Sequence, residues 1–234
     1  MTIYLAIDDT DVIGSRGTGK LAREIAHNLS KEWNILGVTR HQLFVHDAIP
    51  FTSHNSCAVI HVNSDDREEA DTIFDWAKDI MLSDFIEGSD PGIAVATGFQ
   101  IVPALIAFGK DAKNMVLTQE KARTLAKNLE IRLEGLGGSQ DGVIGAMAGL
   151  GLAATRNDGR FVQKGRIRDI RGSCLAEDLL KAGIDAITTL DGRVITDGMI
   201  IEKEFKSVKP CPVNGRSVLF VEEREGLFHS VKRD

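Results

Sequence analysis

Three aspartates stand within four residues near the start of the chain, Asp8, Asp9 and Asp11. Carboxylates this close repel one another, and a cation or a set of hydrogen-bond donors relieves the repulsion. A row of hard oxygen ligands suits a divalent metal, and Mg²⁺ carrying a nucleotide is the economical occupant. On that reading Asp8, Asp9 and Asp11 are both metal ligands and catalytic residues. The same sequence also fits an acid-rich turn in which only Asp8 faces a ligand.

Two glycine clusters bear on the phosphates such a nucleotide would bring. Gly14-x-x-x-x-Gly19-Lys20 matches most of the phosphate-loop pattern, although Leu21 stands where a Ser or Thr would hold the metal. Gly17, Thr18, Gly19 and Lys20 would still cradle an anion, through freed backbone N–H groups, the positive end of the following helix and the lysine charge. A flexible turn ending in a helix cap at Thr18 is the plainer alternative. The second cluster runs through Gly137-Gly138-Ser139-Gln140 into Gly142 and Gly145. Gly138, Ser139 and Gly142 would form a facing cradle, with a triphosphate between the two. A third polar stretch, Thr52-Ser53-His54-Asn55-Ser56, follows Pro50. His54 is placed there as a proton carrier or a donor to phosphate, with Asn55 beside it against the acceptor. Turn hydrogen bonds within the loop account for the same residues equally well.

The elements that position these residues follow from apolar spacing. Ile3, Tyr4, Leu5 and Ile7 form an almost unbroken run, the mark of a strand buried on both faces, which delivers the acids at its carboxyl end. Leu21, Ala22, Ile25, Ala26 and Leu29 recur at helical spacing from Lys20 onward. Strands are expected over 35–45 and from Cys57, and a helix over 65–82. Asp90-Pro91-Gly92 is a turn before a small strand from Ile93. Ile101 to Phe108 fits a short helix or a buried turn. A capped helix is expected from Thr118 to Leu133. Residues 142–154 are nearly all small or apolar and predict a helix buried on every side, with Gly145 and Gly149 admitting another backbone.

Beyond Ala154 the texture changes to turns and short β-type runs, a helix over 174–181 and a strand over 218–221. Lys164, Arg166, Arg168 and Arg171 alternate along an expected extended segment, either a solvated face or a contact to phosphate or RNA backbone. His41, His46 and His61 are expected on strand surfaces.

The chain has 234 residues, 43% hydrophobic and 26% charged, the composition of an ordinary globular protein. No apolar window is long enough for a membrane span, and no basic region precedes the first strand, so neither membrane insertion nor secretion is expected. A net charge of -6 gives no global footprint for nucleic acid, and Cys57, Cys174 and Cys211 form no metal or redox pair. A reducing, cytoplasmic setting fits.

Ile7-Asp8-Asp9-Thr10-Asp11, the small-residue turn into the first helix, Asp90-Pro91-Gly92 and the run Gly142 to Gly151 occur in an order and at separations that resemble the N-terminal part of the archaeal tRNA-isoleucine agmatidine synthetase family. Lys209-Pro210-Cys211-Pro212-Val213 is similar to the stretch near the end of that part. The resemblance implies an unusual kinase domain and a ferredoxin-like domain. It also implies use of ATP and Mg²⁺ to activate an anticodon cytidine before agmatine displaces the activated group. Asp8, Asp9 and Asp11 would then hold Mg²⁺ and phosphates, and Gly142 and Gly145 would lie in the ATP-contacting segment. Two departures stand out. The family has an arginine and a Gly-Asn-Gly run between its second and third strands, where this chain has Thr52 to Ser56. The family also continues into an OB-fold and a zinc ribbon, for which this chain has no cysteine set.

The expectation is therefore a mixed α/β (α+β) protein, a kinase-like α/β core with a ferredoxin-like subdomain. Residues 1–154 would form the nucleotide-binding core and 155–234 a smaller α+β part. Its function would be ATP- and Mg²⁺-dependent phosphoryl transfer or activation, kinase- or ligase-like, toward an RNA or small-molecule acceptor. A non-catalytic nucleotide or metabolite binder of the same fold is the alternative. A third possibility is an RNA-binding subunit that works with a separate OB-fold partner.

Overall fold

The structure, a computed structural model, describes residues 1–49, 52, 54–64, 66–202 and 205–232. Pro50 and Ser53 of the polar loop, and Asp65 at the expected helix start, lie outside the described residues. The chain divides into two compact units, Met1–Thr155 and Arg156–Asp234. Both mix helices with sheet, so the observed class is the mixed α/β class read from the sequence.

The first unit contains β1 (Thr2–Asp8), α1 (Thr18–Leu29), β2 (Asn34–Gln42), β3 (Ser56–Asn63), α2 (Glu69–Ser83), β4 (Gly92–Thr97), α3 (Pro103–Asp111), α4 (Gln119–Asn128), β5 (Arg132–Gly135) and α5 (Gly142–Ala154). Its strands lie in the order β5-β4-β1-β3-β2. Every neighbouring pair in that order is antiparallel. The first six elements thus follow the split β-α-β arrangement, with β1 central. Helices cover both faces, which explains why β1 is apolar throughout although its sheet is antiparallel. Tyr4 and Ala6 join the cluster built with Leu105, Phe108, Met147 and Leu150 of α3 and α5. Ile3, Leu5 and Ile7 alternate to the other face, which α1 and α2 cover. Because β1 runs against both neighbours, its carboxyl end meets the first residues of β4 and β3, with Asp8 opposite Gly92 and Ile7 opposite Ala58.

Helix α5 is the element the sequence describes best. It is buried almost completely around its circumference, and its glycines recur at three- and four-residue spacing on the sheet side. A Cβ on Gly142 would lie 2.5 Å from the backbone nitrogen of Gly92 and 2.8 Å from the carbonyl oxygen of Asp8. On Gly149 it would come within 3.0 Å of Cys57 Sγ and Val59 Cγ2. Close backbone approach therefore occurs at Gly142, and also at Gly151 against the Leu105 carbonyl, whereas Gly145 and Gly149 make room for side chains.

The second unit contains β6 (Arg160–Gln163), β7 (Cys174–Leu175), α6 (Ala176–Lys181), β8 (Ala186–Thr189), β9 (Met199–Ile201), β10 (Cys211–Val213), β11 (Arg216–Arg224) and β12 (Leu227–Val231). A sheet in the order β10-β11-β12-β9-β7, with β8 parallel to β11, carries a core of Ile187, Ile200, Leu219 and Val221 under Leu179 of α6. No described helix is long and apolar enough to cross a membrane.

Three sequence expectations change. The helix expected to reach Leu133 ends at Asn128, because Glu130 takes a left-handed φ of 53° and Arg132 then pairs with Val95 as strand β5. Arg132 is held there by ion pairs to Asp75 and Glu134 and by the Phe74 ring 4.0 Å below its guanidinium. Residues 164–169 form turns in place of an extended segment. His41 is fully buried; its Nε2 lies 2.8 Å from Thr39 Oγ1, which also meets His61 Nε2 at 2.8 Å.

Candidate active site

The end of β1, the acid loop after it and the entrance of α5 line one cavity. Asp8, Asp9, Asp11 and Asp141 form its acidic end, with Thr18 and Thr52 beside them. Leu43, Ile49, Met115, Val116, Leu117 and Ile144 form an apolar wall, and His54 and Asn55 complete the lining.

Asp8 faces α5 because the alternation of β1 places it on the side of Tyr4 and Ala6. Its carboxylate is wedged against Gly145, where a Cβ would lie 1.7 Å from Oδ2. The chain then turns at Asp9, which adopts a left-handed φ of 52°, a conformation aspartate tolerates better than most side chains. Burial, reinforced by the charges of Asp9 and Asp11 and opposed by the Asp9 N–H, pushes the Asp8 carboxyl up to about 8. Burial likewise lifts Asp9 to about 6, with Asp90, Asp11 and Asp141 adding to it. Without a cation, Asp8 therefore keeps its proton at neutral pH, whereas Asp9 is largely ionised. A bare anion would meet repulsion there.

Asp11 has a different task. Its Oδ1 accepts from the Thr18 backbone N–H at 3.2 Å and from Thr18 Oγ1 at 2.7 Å, while Oδ2 accepts from Thr52 Oγ1 at 3.0 Å. It thereby caps α1, and Thr18 is the first helical residue, not the cap. Thr10 Oγ1 donates to Thr18 Oγ1 at 3.1 Å and closes the network. No three histidine, cysteine or acidic side chains among the described residues form a ready metal cage. Asp11 is held in the acid loop by Thr18 and Thr52 beside Asp8 and Asp9. Asp8 and Asp9 remain hard donors of the kind Mg²⁺ accepts when phosphates and waters complete its shell.

The two phosphate cradles are also altered. Of Gly17, Thr18, Gly19 and Lys20, only Thr18 lines the cavity. Lys20 is exposed and lies 3.9 Å from Glu24, a weak surface pair. In the second cluster the Ser139 N–H donates to the Asp90 carboxylate, and the Gly142 N–H donates to the Asp90 carbonyl at 3.0 Å. One N–H near each helix entrance is thus taken by a carboxylate of the protein, that of Thr18 by Asp11 and that of Ser139 by Asp90. Gly138 and Ser139 shape the turn and do not line the cavity, whereas Gly145 does. Gly142 lies against β1 and β4 as packing. In the polar loop Asn55 Nδ2 is committed to the Phe44 carbonyl at 2.7 Å, and His54 is exposed at the cavity's rim. If Gly19 bound phosphate, substitution would weaken a nucleotide. Its Cβ would meet nothing closer than 3.9 Å. Gly19→Ala is therefore expected to leave nucleotide affinity unchanged and to stabilise α1 by about 0.5–1 kcal/mol, measured by denaturant titration.

Sequence reasoning missed Asp90, Asp141 and Arg16. Asp90 stood in a turn signal, but nothing local announced that its carboxylate holds residue 139. Arg16 pairs with Asp84 and donates to the carbonyls of Thr10 and Asp84 at 3.0 and 2.7 Å, fastening the acid loop to the end of α2. Only tertiary contact reveals that link.

Several solved structures share this fold. A tRNA fluorescent labeling enzyme matches at 23% identity and a TM-score of 0.55, over 64% of this chain and 36% of that one. The apo form of TiaS, an isoleucine-tRNA agmatidine synthetase, matches at 24% and 0.53, over 64% and 35%. A complex of TiaS with its isoleucine tRNA and ATP matches at 24% and 0.55, over 64% and 36%. The chain spans about a third of the length of these structures. No protein-family model and no curated protein sequence matches it. The likeness establishes the fold expected from the motifs at Asp8–Asp11 and Gly142–Gly151.

Proposed function

We propose that the first unit binds ATP together with Mg²⁺ and uses it to transfer or activate a phosphoryl group, toward an acceptor that is a small molecule or an RNA. The observation that carries this reading is the cavity itself. It joins two adjacent carboxylates that burial lifts above their ordinary range, Asp8 to about 8 and Asp9 to about 6, to an apolar wall suited to a base or an aliphatic chain. The likeness to a structure that contains ATP supports the choice of nucleotide.

Asp8 and Asp9 would hold Mg²⁺, and the ion would supply charge neutralisation for the phosphates. Asp11 orients the Thr18 hydroxyl and keeps the acid loop in register with α1. Asp90 holds the 137–141 turn so that Asp141 and Gly145 remain at the cavity's acidic end. The apolar wall excludes water from one side. His54, at the rim, is placed to meet the acceptor or carry its proton.

ATP consumption with Mg²⁺ and a panel of small-molecule and RNA acceptors tests the reading. Asp8→Ala should lower turnover by about 10²-fold or more, with the variant's folding checked by circular dichroism. Full turnover in that variant would remove the assignment. One observation favours a second reading, a binding protein without catalysis: among the described residues lining the cavity there is no arginine or lysine to stabilise a transferring phosphate. Tight ATP binding with no product from any acceptor would establish it.

A further inference from the structure

We infer that the second unit carries a surface for single-stranded nucleic acid, built from the exposed ring of Phe205 and the arginines of the 164–172 turn. The inference is independent of the cavity in the first unit.

Charge is unevenly distributed along the chain. From position 156 onward there are fifteen basic and thirteen acidic residues, although the whole chain carries -6. Within 164–171, four residues are basic and one, Asp169, is acidic. The turn is firmly held. Ile167 is fully buried, and the Arg166 N–H donates to the Ala182 carbonyl at 2.7 Å. The Gly172 N–H donates to the Lys206 carbonyl at 2.9 Å, and Ser207 Oγ lies 3.5 Å from the Arg168 carbonyl. These bonds bring the basic turn against residues 205–207. Arg166, Arg171 and Lys206 are exposed there. No ion pair among the described residues engages Arg166, Arg168 or Arg171.

Phe205 stands beside them with 76% of its surface exposed and a left-handed φ of 53°. Its ring edge rests where a Cβ on Gly172 would be, 3.0 Å from Cδ2. A large apolar side chain in water and a bulky residue at positive φ are both unfavourable to the folded chain, and so is a set of like charges on one turn. A polyanion with stackable faces offsets the exposed ring and the like charges, since phosphates neutralise the arginines and a base covers the ring. An acidic peptide would answer the charge alone.

The test is fluorescence anisotropy of a labelled mixed-sequence 12-nucleotide single-stranded RNA with the full chain, without ATP, across a salt series. A polyglutamate peptide serves as the competing polyanion. The unsubstituted chain should bind the RNA with affinity that falls steeply with salt. Arg166→Ala with Arg171→Ala should flatten the slope by about 1.4, at roughly 0.7 per phosphate contact. Phe205→Gly should weaken binding about tenfold or more. The same variant should melt no lower than the unsubstituted chain, because glycine accepts the positive φ. That combination separates loss of a contact from loss of folding. No RNA binding at 50 mM salt, unchanged affinity in Phe205→Gly, or polyglutamate binding as tight as RNA would each overturn the inference.

Discussion

Gly142→Ala is expected to prevent the first unit from folding, or to destabilise it by more than about 4 kcal/mol, the range reserved for severe core faults. Three backbone atoms surround the position where the new methyl would sit: Gly92 N at 2.5 Å, the Asp90 carbonyl at 2.6 Å and the Asp8 carbonyl at 2.8 Å. None belongs to a flexible side chain, so relief requires moving α5 off the ends of β1 and β4. Overpacking against side chains costs less, because rotamers can shift. The reciprocal change Gly92→Ala meets the Gly142 carbonyl carbon at 2.1 Å and should be as severe. Soluble expression and thermal melting read the outcome. A Gly142→Ala chain that melts within a few degrees of the unsubstituted chain would mean that α5 does not pack there.

Asp8→Asn is expected to raise stability at alkaline pH while abolishing Mg²⁺-dependent nucleotide binding. The unfolded Asp8 titrates near its ordinary value of 3.8, and the folded one at about 8, so between these limits the folded chain holds the extra proton. Stability therefore falls as pH rises from about 4 to about 8, and the loss is complete above that range. Asp9, lifted to about 6, adds a second decline that ends at lower pH. In Asp8→Asn only the Asp9 portion should remain. Scanning calorimetry between pH 5 and 8.5 would show a steep fall in Tm for the unsubstituted chain and a shallow one for the variant, with the curves crossing as pH increases. Bound Mg²⁺ should flatten the fall of the unsubstituted chain, since a cation favours the charged carboxylate.

β1 and α5 were legible in the sequence because burial on every side requires a nearly continuous apolar or small-residue run, and few other structures do. The pairing of Asp8 with the entrance of α5 followed from combining those two elements. Part of the hydrogen bonding at the two glycine clusters could not be read from the sequence, for a physical reason. Glycine-rich helix entrances do present N–H groups, but Asp11 takes that of Thr18 and Asp90 that of Ser139, and a carboxylate seven or forty-nine residues away leaves no local mark. The boundary at Asn128 was lost in the same way. Arg132 and Leu133 suit a helix by propensity, and their place beside β4 comes from Asp75, Glu134 and the Phe74 ring. His41 looked like a surface residue because polar side chains on strands usually are; its burial depends on a Thr39 hydroxyl shared with His61.

Calorimetric titration of ATP into the full chain, with and without Mg²⁺, beside the same titrations of Asp8→Asn, tests the central claim most directly. Heat of binding is predicted only when Mg²⁺ is present, and it should disappear in Asp8→Asn. Binding that is equal with and without the ion and survives that substitution, or no binding under any of these conditions, would contradict the claim.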